Sequence, residues 1–328
     1  MKTILKNTEK YSNIKLAKGL LLDDSKTIKR AGECGVSTGK YGLRWFCLPK
    51  GKAIFKTYDG IFCFDIRQNR IINELVCKEL CNQVGIECPE IEPASKNGVE
   101  GIVSYNVAKN GKKLINAIRL GNMAHFNSFS NSIEDYAYMV DELEAYGYKI
   151  DKQKFVEDMY KICIFDFITM QTDRHECNMF FIKYPKTREI TVAPLIDNEF
   201  AFCGKKLISY ISKRYINIDE DIKKTYQMFA NHMTVKSNFG SDFDTMATEI
   251  VNLAKNDKNF DKILKNIIDK LDIKNAINNV EKMGYEISPE YKEYLAEIVE
   301  CSTKYILNKY KEIKPNKSKY NQEYELLY

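Results

Sequence analysis

The stretch Gln171-Thr172-Asp173-Arg174-His175-Glu176-Cys177-Asn178 constrains this chain more than any other part of it. It follows the most apolar-rich segment, KICIFDFITM, and precedes two runs of strand type: Met179-Phe180-Phe181-Ile182, then, after a turn, Ile190-Thr191-Val192, which leads through Ala193-Pro194-Leu195-Ile196 to Asp197-Asn198. A polar loop set between a buried helix and paired strands needs a scaffold on both sides, so it demands a sizeable mixed fold.

The rest of the sequence supplies one. Leu43, Trp45 and Cys47 alternate ahead of Pro49-Lys50-Gly51, and Ala53-Ile54-Phe55-Lys56-Thr57-Tyr58 forms a second run, which predicts a hairpin. From about 67 to 84, Ile72, Leu75, Val76, Leu80 and Val84 keep helical spacing, and Gly85 stands where a C-cap belongs. A third strand is expected over 101–105. After the turn-like Ala108-Lys109-Asn110-Gly111 the chain turns helical: Phe155, Met159, Ile162, Cys163 and Phe167 mark one helix beginning soon after Asp151, and 252–313 is helical with breaks near Asn256, Lys274 and Ser288. The pattern predicts a two-lobed α+β protein, with a strand-rich N-lobe over 1–107, a larger helical C-lobe over 108–314 and a loose tail over 315–328.

Composition excludes several alternatives. With 328 residues, 44% hydrophobic and 29% charged, the chain is neither a disordered polymer nor a small disulfide-stapled module. Fifty Lys plus Arg stand against 45 Asp plus Glu, with the signs interleaved, so charge gives nucleic-acid binding little support. The N-terminus lacks the apolar run of a secretory signal, and no stretch approaches the ~18 uninterrupted apolar residues of a membrane helix. A soluble cytoplasmic protein is expected, or an effector exported without an N-terminal signal. The ten cysteines form no C-x-x-C pair; Cys77 and Cys81, four apart on the expected helix, read as apolar packers. Reduced thiols suit the cytosol.

Asp173 and Asn178 have the spacing D-x-x-x-x-N of a kinase catalytic loop, and Asp197 closes the downstream strand run. Phosphoryl transfer needs a carboxylate to orient and deprotonate the attacking hydroxyl, an amide oxygen on one Mg²⁺, and a second carboxylate between metal and nucleotide phosphates. Those groups occur in that order. Upstream, Lys56 ends the strand Ala-Ile-Phe-Lys, as in the strand whose lysine grips nucleotide phosphates. Gly35-Val36-Ser37-Thr38-Gly39-Lys40-Tyr41-Gly42 is a glycine-rich turn whose backbone N–H groups suit phosphate oxygens, which makes Gly35, Ser37, Thr38 and Gly39 candidate nucleotide-binding residues. Ser104 and Tyr105, closing the third strand at the hinge between lobes, join that set. A helix glutamate should hold Lys56, and spacing leaves Glu74 and Glu79 both open.

Competing motifs fail on context. Gly35-Val36-Ser37-Thr38-Gly39 satisfies G-x-S-x-G, but a hydrolase elbow leads into a helix and a strand follows here. It is not a Walker A loop either, because the first Gly is one residue too close and Tyr41 replaces Ser/Thr. His175-Glu176 does not begin a zincin helix, since Met179 stands where the second His belongs. His175 is expected to order the catalytic loop through hydrogen bonds.

The T-D-R-H-x-x-N block followed by A-P-L-I-D resembles the HipA-type bacterial serine/threonine kinases, and the layout is most similar to their short cell-translocating (CtkA) branch. The likeness spans roughly 32–302, with its specific motifs at 171–198 and weaker agreement at 53–85. It implies a bilobal protein-kinase-like fold, ATP and Mg²⁺ as cofactors, Asp173 as catalytic base, Asn178 and Asp197 as metal ligands, Lys56 on the phosphates, and a helix glutamate, taken as Glu74, as its partner. It also implies autophosphorylation at Ser37 or Thr38 that expels the glycine loop by charge repulsion. Asn198-Glu199 replaces the Phe-Gly that follows the metal Asp in ordinary protein kinases, so Phe-driven switching is not expected. Too few residues precede the glycine loop for the subdomain with which HipA proteins engage an antitoxin, so such a partner cannot be carried over. The protein substrate is unreadable from the segment 205–244. Because D-R-H-x-x-N also occurs in phosphatidylinositol 3- and 4-kinases, a lipid kinase is the first alternative. A catalytically inactive nucleotide-binding pseudokinase is the second.

Overall fold

The computed structural model describes residues 20–22, 44–56, 64–96, 99–126, 133–171, 174–202 and 243–313. The glycine-rich turn with Gly35, Ser37, Thr38 and Gly39, the segment 205–242, the tail over 315–328 and Asp173 lie outside these residues.

The N-terminal part is a five-stranded sheet in the order β1-β4-β5-β3-β2. β2 (Arg44–Leu48) and β3 (Gly51–Lys56) form the expected hairpin, in register Leu48 to Gly51 across the two-residue turn Pro49-Lys50. β5 (Val99–Tyr105) pairs antiparallel with β3 and with β4 (Ile91–Lys96), and β1 (Leu20–Leu22) lies parallel to β4 at the edge. The burial pattern departs from the alternation expected of β2. Phe46 and Leu48 face a small core with Ala53, Phe55, Ala94, Val103 and Tyr105, whereas Trp45 is buried on the opposite face and Cys47 is exposed. Both faces of this hairpin are covered at Trp45 and Phe46, so alternation does not identify a single inner face. Gly101 is dictated by a close approach: a Cβ there would lie 2.3 Å from the Lys56 carbonyl oxygen and 2.7 Å from the Phe55 ring. Only glycine lets β5 run this near the end of β3.

α1 (Phe64–Val84) starts earlier than its apolar spacing indicated and ends at Gly85, whose φ of +71° suits a C-terminal cap. Its buried side chains Ile72, Leu75, Val76, Leu80 and Val84 are continuous with the largest hydrophobic core, which runs on through the C-terminal helices. It packs against α7 (Ile273–Lys282), where Gln83 and Asp272 exchange hydrogen bonds: Gln83 Nε2 donates to the Asp272 carbonyl at 3.0 Å, and Asp272 N donates to Gln83 Oε1 at 2.7 Å.

The C-terminal part opens with β6 (Lys113–Asn116), leads directly into α2 (Ala117–Met123), and continues through α3 (Ile133–Ala145) and α4 (Lys152–Ile168). Asp151 caps α4 by accepting from Lys154 N at 3.0 Å, and the helix is buried almost without interruption from Tyr160 to Ile168. β7 (Phe180–Tyr184) and β8 (Glu189–Val192) form a hairpin completed by β6 into a three-stranded sheet. β8 stops short of Asp197. Pro194 has no N–H to continue the ladder, and Leu195 N turns to the Glu87 carbonyl at 2.7 Å. α5 (Phe243–Asn256), α6 (Lys258–Lys270), α7 and α8 (Pro289–Glu312) complete the core, with Asp257, Asp272 and Ser288 capping the last three. The fold is mixed α+β, an N-terminal sheet followed by a helical C-terminal part. No helix among the described residues is long and apolar enough to cross a membrane.

Candidate active site

Three elements distant in sequence meet at Lys56. It ends β3, and its Nζ donates to Glu74 Oε1 of α1 at 2.9 Å and to Asp197 Oδ1 at 2.8 Å. Of the two glutamates that spacing left open, Glu74 is the one at Lys56; Glu79 lies further along α1 and accepts from Asn279 Nδ2 at 3.1 Å. Glu74 is buried, and among the described residues its Oε2 has no hydrogen-bond partner. Asp197, by contrast, keeps a third of its side chain exposed (33%). Its φ of +64° places it in the left-handed region, a conformation that Asp tolerates better than most residues and that concentrates at functional sites.

Electrostatics follow from that geometry. Burial works against the Lys56 ammonium, but Asp197, Glu74 and Glu199 outweigh it and hold the pKa above the ordinary lysine value. Burial also opposes ionisation of Asp197, yet the charge and hydrogen bond of Lys56, with Arg174 and His175 behind them, pull its carboxyl below the usual carboxylate range. Lys56 and Asp197 therefore face each other as ions.

Behind Asp197 stands Arg174, 1% exposed, which the sequence reading did not single out. Its Nε donates to Asp166 Oδ2 at 3.1 Å and its Nη2 to Asp166 Oδ1 at 3.3 Å, a two-pronged contact with a carboxylate buried in α4. Nη2 also donates to Asn198 Oδ1, and Nη1 to the carbonyls of Ile196 at 2.6 Å and Asn178 at 3.3 Å. One guanidinium thus binds both the turn carrying Asn178 and the residues on either side of Asp197. Gln171 adds a hydrogen bond from Nε2 to the Asp197 carbonyl at 3.3 Å. Asn198, which stands where ordinary protein kinases have phenylalanine, is buried and anchored to Arg174. A signal for this cluster was present: Asp166 is a carboxylate inside an otherwise apolar run, and such a residue requires a buried partner.

The remaining candidates are placed as follows. His175 Nδ1 accepts from Cys177 N at 3.1 Å, and its carbonyl accepts from Asn178 N at 2.8 Å and Met179 N at 3.1 Å, so the residue organises the turn. Ser104 lies opposite Ile54 on the face of the sheet shared with Lys56. Tyr105 turns its ring into the small core on the other face and donates to Glu92 Oε2 at 3.0 Å; burial and that bond push its pKa up to about 12. It does not reach Lys56.

The donor chemistry at Asn178 and Asp197 is oxygen-only, one amide and one carboxylate, which fits a hard cation. Among the described residues no three His, Cys, Asp or Glu side chains gather to cage a metal. Mg²⁺ needs no such cage, because it is held by one or two carboxylates together with substrate phosphates and water.

No protein-family model and no curated protein matches the sequence. Among solved structures, the crystal structure of a Helicobacter pylori proinflammatory kinase, CtkA, superimposes with a TM-score of 0.62 at 16% identity, covering 82% of this chain and 93% of that one. The chain has a CtkA-like kinase fold. HipA of Shewanella oneidensis MR-1, solved with HipB and operator DNA, matches at a TM-score of 0.47 and 12% identity over 95% of this chain and 73% of that one.

Proposed function

We propose that this protein is a Mg²⁺-dependent kinase that transfers the γ-phosphoryl group of ATP to Ser or Thr of a protein. The observation that carries the reading is the double ion pair of Lys56 with Glu74 and Asp197, which brings residues 18 and 141 positions apart to one point of a kinase-like fold. Lys56, held by Glu74, is positioned to neutralise phosphate oxygens of the nucleotide. Asp197 and Asn178 are the residues that would hold Mg²⁺, whose chemistry is to offset charge on the phosphates. Arg174 holds the Asn178 carbonyl and the residues on either side of Asp197, and Gln171 holds the Asp197 carbonyl, which limits the backbone reorganisation that binding would require. Asp173, by its spacing from Asn178, is assigned to accept the proton of the attacking hydroxyl. Ser104 shares the Lys56 face as a candidate cleft residue. Ser37 or Thr38 is the assigned autophosphorylation site, and the lobes over 1–107 and 108–314 would enclose the nucleotide.

Purified protein is incubated with labelled Mg-ATP, alone and with a generic protein substrate. Label on protein in the wild type, and none in Asp197→Asn or Asp173→Asn, supports the assignment. Nucleotide binding without transfer, unaffected by either substitution, identifies a pseudokinase. ATP turnover stimulated only by phosphoinositide vesicles identifies a lipid kinase. Trp45, the one tryptophan of the chain, lies opposite Ile54 two residues before Lys56, so intrinsic fluorescence offers an independent report of nucleotide binding. Phosphosite mapping after long incubation tests Ser37 and Thr38, and two unmodified residues would remove that assignment.

A further inference from the structure

Asn73 immediately precedes Glu74 on α1 and is fully buried. Its amide is used completely. Nδ2 donates to the carbonyls of Glu199 at 3.2 Å and Ala201 at 2.8 Å, and Oδ1 accepts from the Tyr291 hydroxyl in the first turn of α8. Two donors aimed at two carbonyls, with one acceptor aimed at a hydroxyl, is a set that a primary amide meets and a carboxylate of the same shape does not. Further contacts bind the same segment. One turn before Glu74, Arg70 reaches Glu199 at 3.8 Å and lies over the Phe200 ring at 4.3 Å. One turn after Tyr291, Tyr294 stacks on it with centroids 5.9 Å apart and donates to the Phe202 carbonyl at 2.9 Å.

We propose that Asn73 is a positioning residue for the site. With Tyr291 it fixes α1 against the segment that leaves Asp197, so that Glu74 and Asp197 meet Lys56 together. Successive helix residues point ~100° apart, so an α1 held by Asn73 presents Glu74 toward Lys56 in one rotation only. Two bonds to carbonyls two residues apart fix the other half of the arrangement, the path of the chain just beyond Asp197. α1 and the Asp197 segment are thereby one unit, and the pair at Lys56 is assembled without ligand. The inference rests on the proposed nucleotide site for its chemical consequence and on geometry alone for the latch.

The test uses the full chain and three variants. Tyr291→Phe deletes one hydroxyl and keeps the stacked ring, Asn73→Leu removes the amide, and Asn279→Ala breaks a different hydrogen bond to the same helix, at Glu79. Two quantities are read: the affinity for a non-hydrolysable ATP analogue with and without Mg²⁺, and backbone hydrogen exchange over 198–202. In Tyr291→Phe and Asn73→Leu the Mg²⁺-dependent gain in affinity should fall about tenfold or more, the scale seen when a group that orients a metal ligand is lost. Exchange over 198–202 should accelerate in both, and Asn279→Ala should change neither quantity. Unchanged exchange and unchanged Mg²⁺ dependence in Tyr291→Phe and Asn73→Leu would overturn the proposal, as would equal losses in Asn279→Ala, which would indicate general loosening. If the wild type gains nothing from Mg²⁺, the functional reading has failed, and the exchange measurement alone decides the latch.

Discussion

Two clusters of charge lie back to back behind the Asp197 backbone, and they are built differently. Arg174 and Asp166 are closed off at 1% exposure each, with the guanidinium engaged by a carboxylate, an amide oxygen and two carbonyls. Lys56 retains 12% exposure and Asp197 33%, and among the described residues the Glu74 Oε2 has no hydrogen-bond partner. A buried ion whose donors are all satisfied can only hold its surroundings in place, because any new ligand would displace an existing bond. An ion pair with an open side can exchange part of its bonding for a substrate. The first cluster is closed to any ligand, and the second keeps an open side, where the proposed function would place its substrate.

That contrast is broken most directly at Asp166. Asp166→Ala leaves Arg174 charged and buried without its main partner, and should cost about 3–5 kcal/mol of stability by denaturant unfolding. A loss below about 1 kcal/mol would erase the distinction between scaffold and site. Asp197→Asn should do the reverse, lowering phosphoryl transfer ~10²–10³-fold, the scale for removing a key charged or hydrogen-bonding group, while costing less stability than Asp166→Ala. Gly101→Ala drives a Cβ into the Lys56 carbonyl and the Phe55 ring. It should cost about 1–3 kcal/mol as overpacking does, and it should also weaken nucleotide affinity because Lys56 sits at the point of collision.

A smaller effect is set by pH. The folded-state pKa of Asp197 is depressed below 3.8, so the stability its ionisation contributes is fully present above that value and is lost as pH falls through the folded pKa. Lys56 is raised above 10.5, so its share is intact below that value and fades only beyond it. The stability difference between wild type and Asp197→Asn should therefore be level between these limits and shrink below pH 3.8 in acid unfolding curves; a difference that declines already near neutrality would contradict the ion pair. Least of all should matter an exposed pair such as Lys154 with Asp158, 2.8 Å apart one turn along α4. Asp158→Asn should change stability by no more than about 0.5 kcal/mol.

Legibility in the sequence tracked how local each signal is. The β2–β3 hairpin, α1 with Gly85, α4 behind Asp151 and the breaks in the last helices were readable because turns, caps and apolar spacing act within a few residues. β4 and β6 were not. β4 contains Pro93 and is decided by pairing with β5 on one side and β1 on the other, and β6 is four residues long beside α2, where tertiary pairing with β7 outweighs weak local preference. The order of Lys56, a helix glutamate, Asn178 and Asp197 was legible as well, but not which glutamate. Helical periodicity places Glu79 nearer the apolar stripe of α1, and that stripe turns out to face α7 and the large core rather than Lys56.

The sequence by itself determined much of the succession of elements, though not β4 or β6, and which charged and amide side chains are available to a site, because those depend on spacing along one chain. It also carried, unrecognised, the demand for a buried cation in the form of Asp166. Tertiary structure alone decided that Glu74 meets Lys56, that Arg174 satisfies Asp166 while spanning the residues around Asp197, and that Asn73 joins α1 to 199–201 and to Tyr291. Each of these bonds closes a loop of the chain, and where such a loop closes depends on the packing of all the elements between its ends.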